Sequence, residues 1–163
     1  MTTDQTIDVA IIGGGPAGYA AAIYAVRANL TTTVLEQGMS GGQIATSNEI
    51  ENYPGIPLLS GVELGERFQQ HAEGLGAQVE WSMVTGVDYD ADAAQFAIHH
   101  DMGDTAAKSV IACMGATPRP AGFVGEDTYR GRGVSYCATC DGMFFRGKQV
   151  FVIGGGNSAC EEA

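Results

Sequence analysis

The chain has 163 residues, 45% of them hydrophobic, enough for one good core or for one core and the start of another. Its formal charge of -11 excludes the clustered basic surface that nucleic acid or an anionic membrane would require. Four cysteines are too sparse for a secreted disulfide scaffold, and the longest Ala-rich run, 17–30, is interrupted by Arg27, so no stretch reads as membrane-spanning.

In chain order, Met1-Thr2-Thr3-Asp4-Gln5 lacks the basic and apolar regions of a signal peptide, and the cytoplasm is the expected compartment. A short apolar strand over Ile7–Ile12 runs into Gly13-Gly14-Gly15-Pro16-Ala17-Gly18 and then into an Ala-rich helix to about Ala28. In Gly13-x-Gly15-x-x-Gly18 the first glycine permits a tight turn, the second lets a pyrophosphate approach the backbone, and the third lets helix pack on strand. Pro16 suits the first helical turn, whose free N–H groups attract phosphate. A second strand over 32–35 delivers Glu36, eighteen residues after Gly18, where a carboxylate can accept hydrogen bonds from ribose hydroxyls. The fingerprint leaves open whether FAD or NAD occupies it.

Residues 38–52 are Gly-rich and follow neither helical nor strand period, which reads as a ligand-touching loop ahead of the turn Tyr53-Pro54-Gly55. Ser60-x-x-Glu63 is a capping box that opens a helix with Leu64, Phe68, Ala72 and Leu75 on one face; Gly74 and Gly76 end it. His71 sits near its end, partly solvated and without a catalytic part. Strands are predicted at Gln78–Trp81, 83–89 and Gln95–His100, with Trp81 in the core and Asp90-Ala91-Asp92 as a solvated hairpin turn. Asp88, Asp90 and Asp92 imitate the start of a calcium loop, but Ala93 and His99 stand where Gly and Glu are needed. Another buried strand, 108–114, ends at Gly115-Ala116-Thr117-Pro118-Arg119-Pro120, a crossing point between domains.

Cys137-Ala138-Thr139-Cys140-Asp141-Gly142 then places two thiols one helical turn apart with a carboxylate directly after the second. A disulfide can span that spacing, and a helix N-terminus there favours thiolate over thiol. The pair is also half of a zinc site. A second half is missing, since Cys113 and Cys160 stand alone and His71, His99 and His100 have no partner at zinc-ligand spacing, so a redox centre is the preferred reading. Past it, an apolar strand over 149–153 leads into a second fingerprint, Gly154-x-Gly156-x-x-Ala159. Two dinucleotide sites flanking a dithiol describe a relay, in which a nicotinamide gives hydride to a flavin and the flavin reduces a disulfide.

These motifs, in this order, resemble the N-terminal half of the low-molecular-weight, bacterial-type thioredoxin reductases along the whole chain. The resemblance implies an α/β fold: a Rossmann-like FAD-binding domain over 1–117, a parallel sheet with a β-meander crossover, and over 118–163 the truncated start of a second Rossmann-like domain for NADPH. By it, Gly13, Gly15, Pro16, Ala17 and Gly18 form the FAD pyrophosphate loop, Glu36 and Gln37 the ribose end, and Gly41, Gly42, Gln43 and Asn52 flavin-contacting segments. Val84 falls where the family meets the adenine ring, Gly115 belongs to the same cofactor site, and Gly154, Gly156, Asn157, Ser158 and Ala159 form the NADPH loop.

The resemblance further implies that Cys140 faces the flavin, that Cys137 attacks the disulfide of thioredoxin, and that Asp141 is the general acid. No metal is expected. The family swings its NADPH domain against its FAD domain, and 116–120 is the hinge candidate. Two departures stand out: Cys113-Met114 replaces the family's usual Ala-Thr, and Cys160, read as a buried free thiol, replaces an aliphatic. The last helix would close on Glu161 and Glu162, acids of the wrong sign for a helix C-terminus. The expectation is therefore a piece of a homodimeric protein about twice as long, binding nucleotide poorly and not turning over by itself. The flavoprotein subunit of an alkyl hydroperoxide reductase, a non-catalytic flavin-binding module and a zinc-binding module are the alternatives.

Overall fold

The structure, a computed structural model, describes residues 6–163; the signal-peptide reading of residues 1–5 lies outside them. The chain divides into two compact units, one ending at Ala116 and the other beginning at Thr117.

The first unit carries β1 (Ile7–Ile12), α1 (Pro16–Arg27), β2 (Thr32–Glu36), α2 (Gly61–Gly74), β3 (Gln78–Trp81), β4 (Val84–Asp90), β5 (Gln95–His100) and β6 (Gly103–Ala112). Its strands form one 6-stranded sheet in the order β3-β2-β1-β6-β5-β4. β1 sits between two parallel partners, with Ile11 opposite Val34 of β2 and opposite Ile111 of β6. Such a strand is covered on both faces, and its unbroken Val-Ala-Ile-Ile run answers that demand. β6 has two partners of opposite sense, because its first half continues the antiparallel meander from β4 and β5 while its second half runs beside β1.

The strand period divides the core in two. Val9, Ile11 and Val34 face α1 and α2, where Tyr19, Ala22 and Ala72 close over them. Ala10 and Leu35 face the other way and meet Ile98 and Ala107. Tyr19, Ile11, Leu35, Leu64, Ile98 and Val34 are all below 2% exposed, and burying each of the five aliphatic ones contributes about 1.5–3 kcal/mol. The predicted capping box is formed: Ser60 Oγ accepts from Glu63 N–H at 3.2 Å and the Glu63 carboxylate accepts from Ser60 N–H. The Asp90 carboxylate closes the β4–β5 hairpin by accepting from Asp92 N–H and Ala93 N–H.

Several expectations need correction. Trp81 is 51% exposed and not core, because β3 is a four-residue edge strand with a single neighbour. Leu75 is 42% exposed, since the helix has ended at Gly74 and no longer aims it inward. The last strand starts at Gly103, not 108, its added residues recruited by β5. Within 38–52, Gly42–Thr46 winds into a 3-10 turn.

The second unit contains the short helices α3 (Glu126–Tyr129), α4 (Ala138–Asp141) and α5 (Asn157–Glu161), with a 3-10 turn at Gly142–Phe145. The predicted strand over 149–153 is not formed: those residues are exposed, Phe151 at 81%, and no other described segment pairs with them. A strand exists only as a member of a ladder, so its apolar sequence does not suffice. Cys160 is exposed and not buried, because α5 has five residues and none of them is buried.

Candidate active site

In the first unit the site is built on the turn that follows β1. Gly13 takes φ +106, a side chain there would run into the Cys113 carbonyl, and one at Gly18 would run into the Gly13 carbonyl. Glycine at both positions lets α1 start directly against the strand. The N-terminus of α1 has Pro16 in its first turn, no capping side chain and no acidic residue, so its first N–H groups are left to an anion.

Glu36, at the end of β2, is 8% exposed and braces this turn. Its Oε2 accepts from Gly14 N–H at 2.5 Å and its Oε1 from Gly38 N–H at 2.8 Å, which leaves each oxygen a lone pair for a further donor. Gly41 N–H donates to Gly14 carbonyl at 2.8 Å and brings the 41–43 segment to the same place. Gln43 reaches the other way, its amide donating to the Ala116 carbonyl beside Gly115. Ser82 N–H donates to the Glu36 carbonyl at 2.9 Å, which brings the start of β4, Val84 included, to the Glu36 end. Pro16, Ala17, Gln37 and Gly42 are exposed around the turn. Asn52 is exposed on the segment between the Ile50–Leu59 bridge and the Tyr53 turn, and its side chain bonds to none of these groups.

Sequence reasoning missed what fastens the 38–43 segment. Ser40 O–H donates to Gln69 Oε1 at 2.5 Å, so the Tyr19 hydroxyl, 2.7 Å away, is the donor to Ser40 Oγ. Burial pushes the Tyr19 phenol above its ordinary range. Gly65 of α2 is the complementary feature: a Cβ there would strike the Ser40 carbonyl, so helix and loop touch backbone to backbone. Cys113 is half-buried against the α1 side of the core, and burial raises its thiol pKa. The residues present fit a dinucleotide: an uncapped helix start, glycines where side chains would collide, and a buried acid with acceptor capacity to spare.

In the second unit Cys137 and Cys140 form a disulfide with their Cα atoms 5.3 Å apart. Cys137 is the N-cap of α4, and Cys140 N–H points at its Sγ at 3.2 Å. Ser135 O–H donates to Asp141 Oδ2 at 2.5 Å and its Oγ accepts from Cys137 N–H at 3.1 Å, so one hydroxyl ties the acid to the first cysteine. A hydroxyl two residues ahead of the first thiol was the available signal for Ser135. Glu162 is not idle, since its carboxylate accepts from Ala138 N–H at 3.1 Å. In the second fingerprint Gly154 takes φ +145 and a Cβ on it would stand 3.1 Å from that of Ala159, while Gly156, Asn157 and Ser158 are exposed at the start of α5. That helix is short and its preceding strand is unformed, so these residues fit a nucleotide less completely than the first turn does.

A strand parallel to both of its neighbours ends in an uncapped glycine turn with an acid at the end of the next strand, and a cystine beside a carboxylate lies further along the chain: this is the pattern of a dinucleotide-fold disulfide protein. The chain belongs to the pyridine nucleotide-disulphide oxidoreductase family, whose model matches residues 7–163. It is 42% identical to a thioredoxin reductase of Bacillus subtilis (strain 168) over 99% of this chain and 51% of that one. It is 48% identical to a thioredoxin reductase of Treponema pallidum (strain Nichols) over 100% of this chain and 52% of that one. Among solved structures, the thioredoxin reductase of Streptococcus pyogenes MGAS5005 superimposes with a TM-score of 0.89 at 42% identity, covering 99% of this chain and 52% of that one. The chain thus spans about half the length of the relatives it matches. Among the described residues no helix is long and apolar enough to cross a membrane, and no cluster of side chains could hold a metal ion.

Proposed function

We propose that this chain carries the flavin-binding part and the redox dithiol of a disulfide reductase that passes electrons from NADPH through FAD and the Cys137–Cys140 disulfide to oxidised thioredoxin. The carrying observation is the disulfide itself, with Asp141 tied to the Cys137 backbone through Ser135. Bound FAD supplies the two-electron chemistry that opens this disulfide. Gly13, Gly15, Pro16, Ala17 and Gly18 hold its pyrophosphate at the α1 N-terminus, and Glu36 with Gln37 its ribose. Gly41, Gly42, Gln43, Asn52, Val84 and Gly115 line the remainder of the cofactor, and Gly154, Gly156, Asn157, Ser158 and Ala159 the NADPH pyrophosphate.

Two electrons and two protons convert the disulfide to two thiols. Cys137 gives its proton to Asp141 and, as thiolate, attacks the thioredoxin disulfide; a mixed disulfide forms, and the thioredoxin thiolate that leaves takes that proton from Asp141. Cys140 displaces the second thioredoxin thiol from Cys137, which restores the starting disulfide. We place this reaction in the cytoplasm of the cell and in a homodimer, without a nucleic-acid or membrane partner. The resemblance to thioredoxin reductases and the acidic charge support that placement.

The test is NADPH-dependent reduction of thioredoxin by the holoenzyme, with Cys140→Ser as trap. Cys140→Ser leaves Cys137 free and is expected to accumulate a mixed disulfide with thioredoxin, while Cys137→Ser accumulates none. A holoenzyme that reduces no thioredoxin, or an equal yield of adduct from both variants, refutes the assignment.

A further inference from the structure

Among the described residues of the second unit one alone is buried, and it is a carboxylate: Glu126, 4% exposed. A charged group persists in such a place only where hydrogen bonds stand in for water. Tyr136 O–H donates to its Oε1 at 2.5 Å, Ala121 N–H to the same oxygen at 2.8 Å, and Gly122 N–H to Oε2 at 2.6 Å. These donors, Tyr136 first, hold the carboxyl below the usual carboxylate range. Arg130 lies over the Tyr136 ring, 4.7 Å from its centroid, and fixes the ring from one face. One side chain therefore joins the 121–122 turn to the residue covalently ahead of Cys137.

The two sulfurs are held by different means. Cys140 lies inside α4, whereas Cys137 has extended backbone at φ -147 and ψ 101 and is outside the helix. From the α4 side Cys137 is held by Asp141 N–H, which donates to its carbonyl at 3.1 Å, and by the Ser135 hydroxyl that links its N–H to the Asp141 carboxylate. The chain that enters at Cys137 is held from the other side, one residue upstream, by the contact of Tyr136 with Glu126.

We infer that Glu126, acting through Tyr136, is a positioning residue for the dithiol: it holds Cys137 in place opposite Cys140 and so favours the closed disulfide. This rests on the reading of Cys137 and Cys140 as the redox pair. Closure of a disulfide within a chain depends on the effective concentration of one sulfur at the other, and a loosely held Cys137 lowers it.

The experiment equilibrates the holoenzyme and its Glu126→Gln, Tyr136→Phe and double variants in buffers of reduced and oxidised dithiothreitol. Free Cys137 and Cys140 are then trapped with iodoacetamide and counted by mass spectrometry. Gln keeps the shape of Glu126 but turns an amide donor toward groups that are themselves donors, and Tyr136→Phe removes the hydroxyl while leaving the carboxylate its two backbone donors. Each single variant is expected to shift the equilibrium toward the dithiol by about 10-fold or more, the size of one hydrogen bond to a charged group. The double variant shifts no further than the larger single one, because both break the same tie. If Glu126→Gln fails to fold, Tyr136→Phe carries the same expectation alone. Variants that poise at the wild-type ratio, or single shifts that add in full, overturn the inference. A wild-type pair that never exchanges with dithiothreitol removes the redox reading beneath it, a result distinct from the other two.

Discussion

Two substitutions that each remove a single oxygen from the Tyr19, Ser40 and Gln69 chain are expected to have unequal effects. Tyr19 is 1% exposed and Ser40 4%, so neither hydroxyl has water to fall back on. Tyr19→Phe removes the donor at the head of the chain, and Ser40 still donates to Gln69 at 2.5 Å. The loss is one buried hydrogen bond, about 0.5–1.5 kcal/mol. Ser40→Ala strands the Tyr19 hydroxyl without an acceptor, and a stranded buried polar group costs about 1–3 kcal/mol. In the double variant no hydroxyl is stranded, so it is expected to be more stable than Ser40→Ala alone, with a coupling of about 1 kcal/mol. Equilibrium urea unfolding measures this. Trp81, the chain's single tryptophan, is a suitable probe because it lines one cleft with Gly38, Met39, Ser40 and Gln69. Losses that are equal for the two single variants and additive in the double would refute a shared bond between the hydroxyls.

Gly18→Ala would drive a Cβ into the Gly13 carbonyl, and easing α1 off β1 is expected to cost about 1–3 kcal/mol and to release flavin; the ratio of flavin to protein absorbance checks it, and an unchanged ratio counts against the pyrophosphate loop. Asp8 is held down to about 2 by Lys108 Nζ at 2.7 Å first and then by Thr31. Its folded pKa lies below the ordinary value near ~3.9, so its contribution is complete above pH ~4 and disappears as pH falls toward 2. Thermal melts of Asp8→Asn against the parent are expected to converge over that interval and to stay apart above it. His99 is raised by Asp104 at 2.8 Å first and Asp88 at 3.0 Å second. Its contribution is present below the ordinary imidazole value near ~6.5 and is lost as pH rises through the raised one, so His99→Asn is expected to flatten the stability profile on that alkaline side. An NMR titration of the His99 ring that ends below the ordinary value would contradict the sign.

Legibility in the sequence followed the range of the forces involved. β1, the glycine turn, α1 and Glu36 were readable because each is fixed within about one βαβ unit: the strand by its apolar run, the turn by glycines whose replacement would collide, the acid by its distance along the chain. The capping box and the Asp90 turn were readable for the same reason, as their bonds close within three residues. Trp81 was misread because burial of a large aromatic depends on whether its strand is central or at an edge, and strand order is a property of the whole sheet. The Tyr19 to Ser40 bond was invisible because a tyrosine in an apolar helix face and a serine in a loop carry no mark of each other. Their partnership exists only after α1 and α2 have packed with the loop between them.

The second unit separates two kinds of information that the first unit combines. Val150, Phe151, Val152 and Ile153 have the composition of a parallel strand as clearly as Val9 to Ile12 do, yet only the latter run forms one. The difference is the neighbours: β1 has β2 and β6 to take its backbone N–H and C=O groups, and the 149–153 segment has none among the described residues. Order in that unit comes from side chains that bond to backbone, Ser135 to Cys137 and Glu126 to Ala121 and Gly122, which are local and short in reach. Those bonds suffice to shape the few residues around a disulfide without a sheet beneath them. The surroundings of the Cys137–Cys140 disulfide therefore depend on a small number of polar contacts, and the 13–18 turn depends on a packed core, so substitutions of the same size act on the two places by different routes.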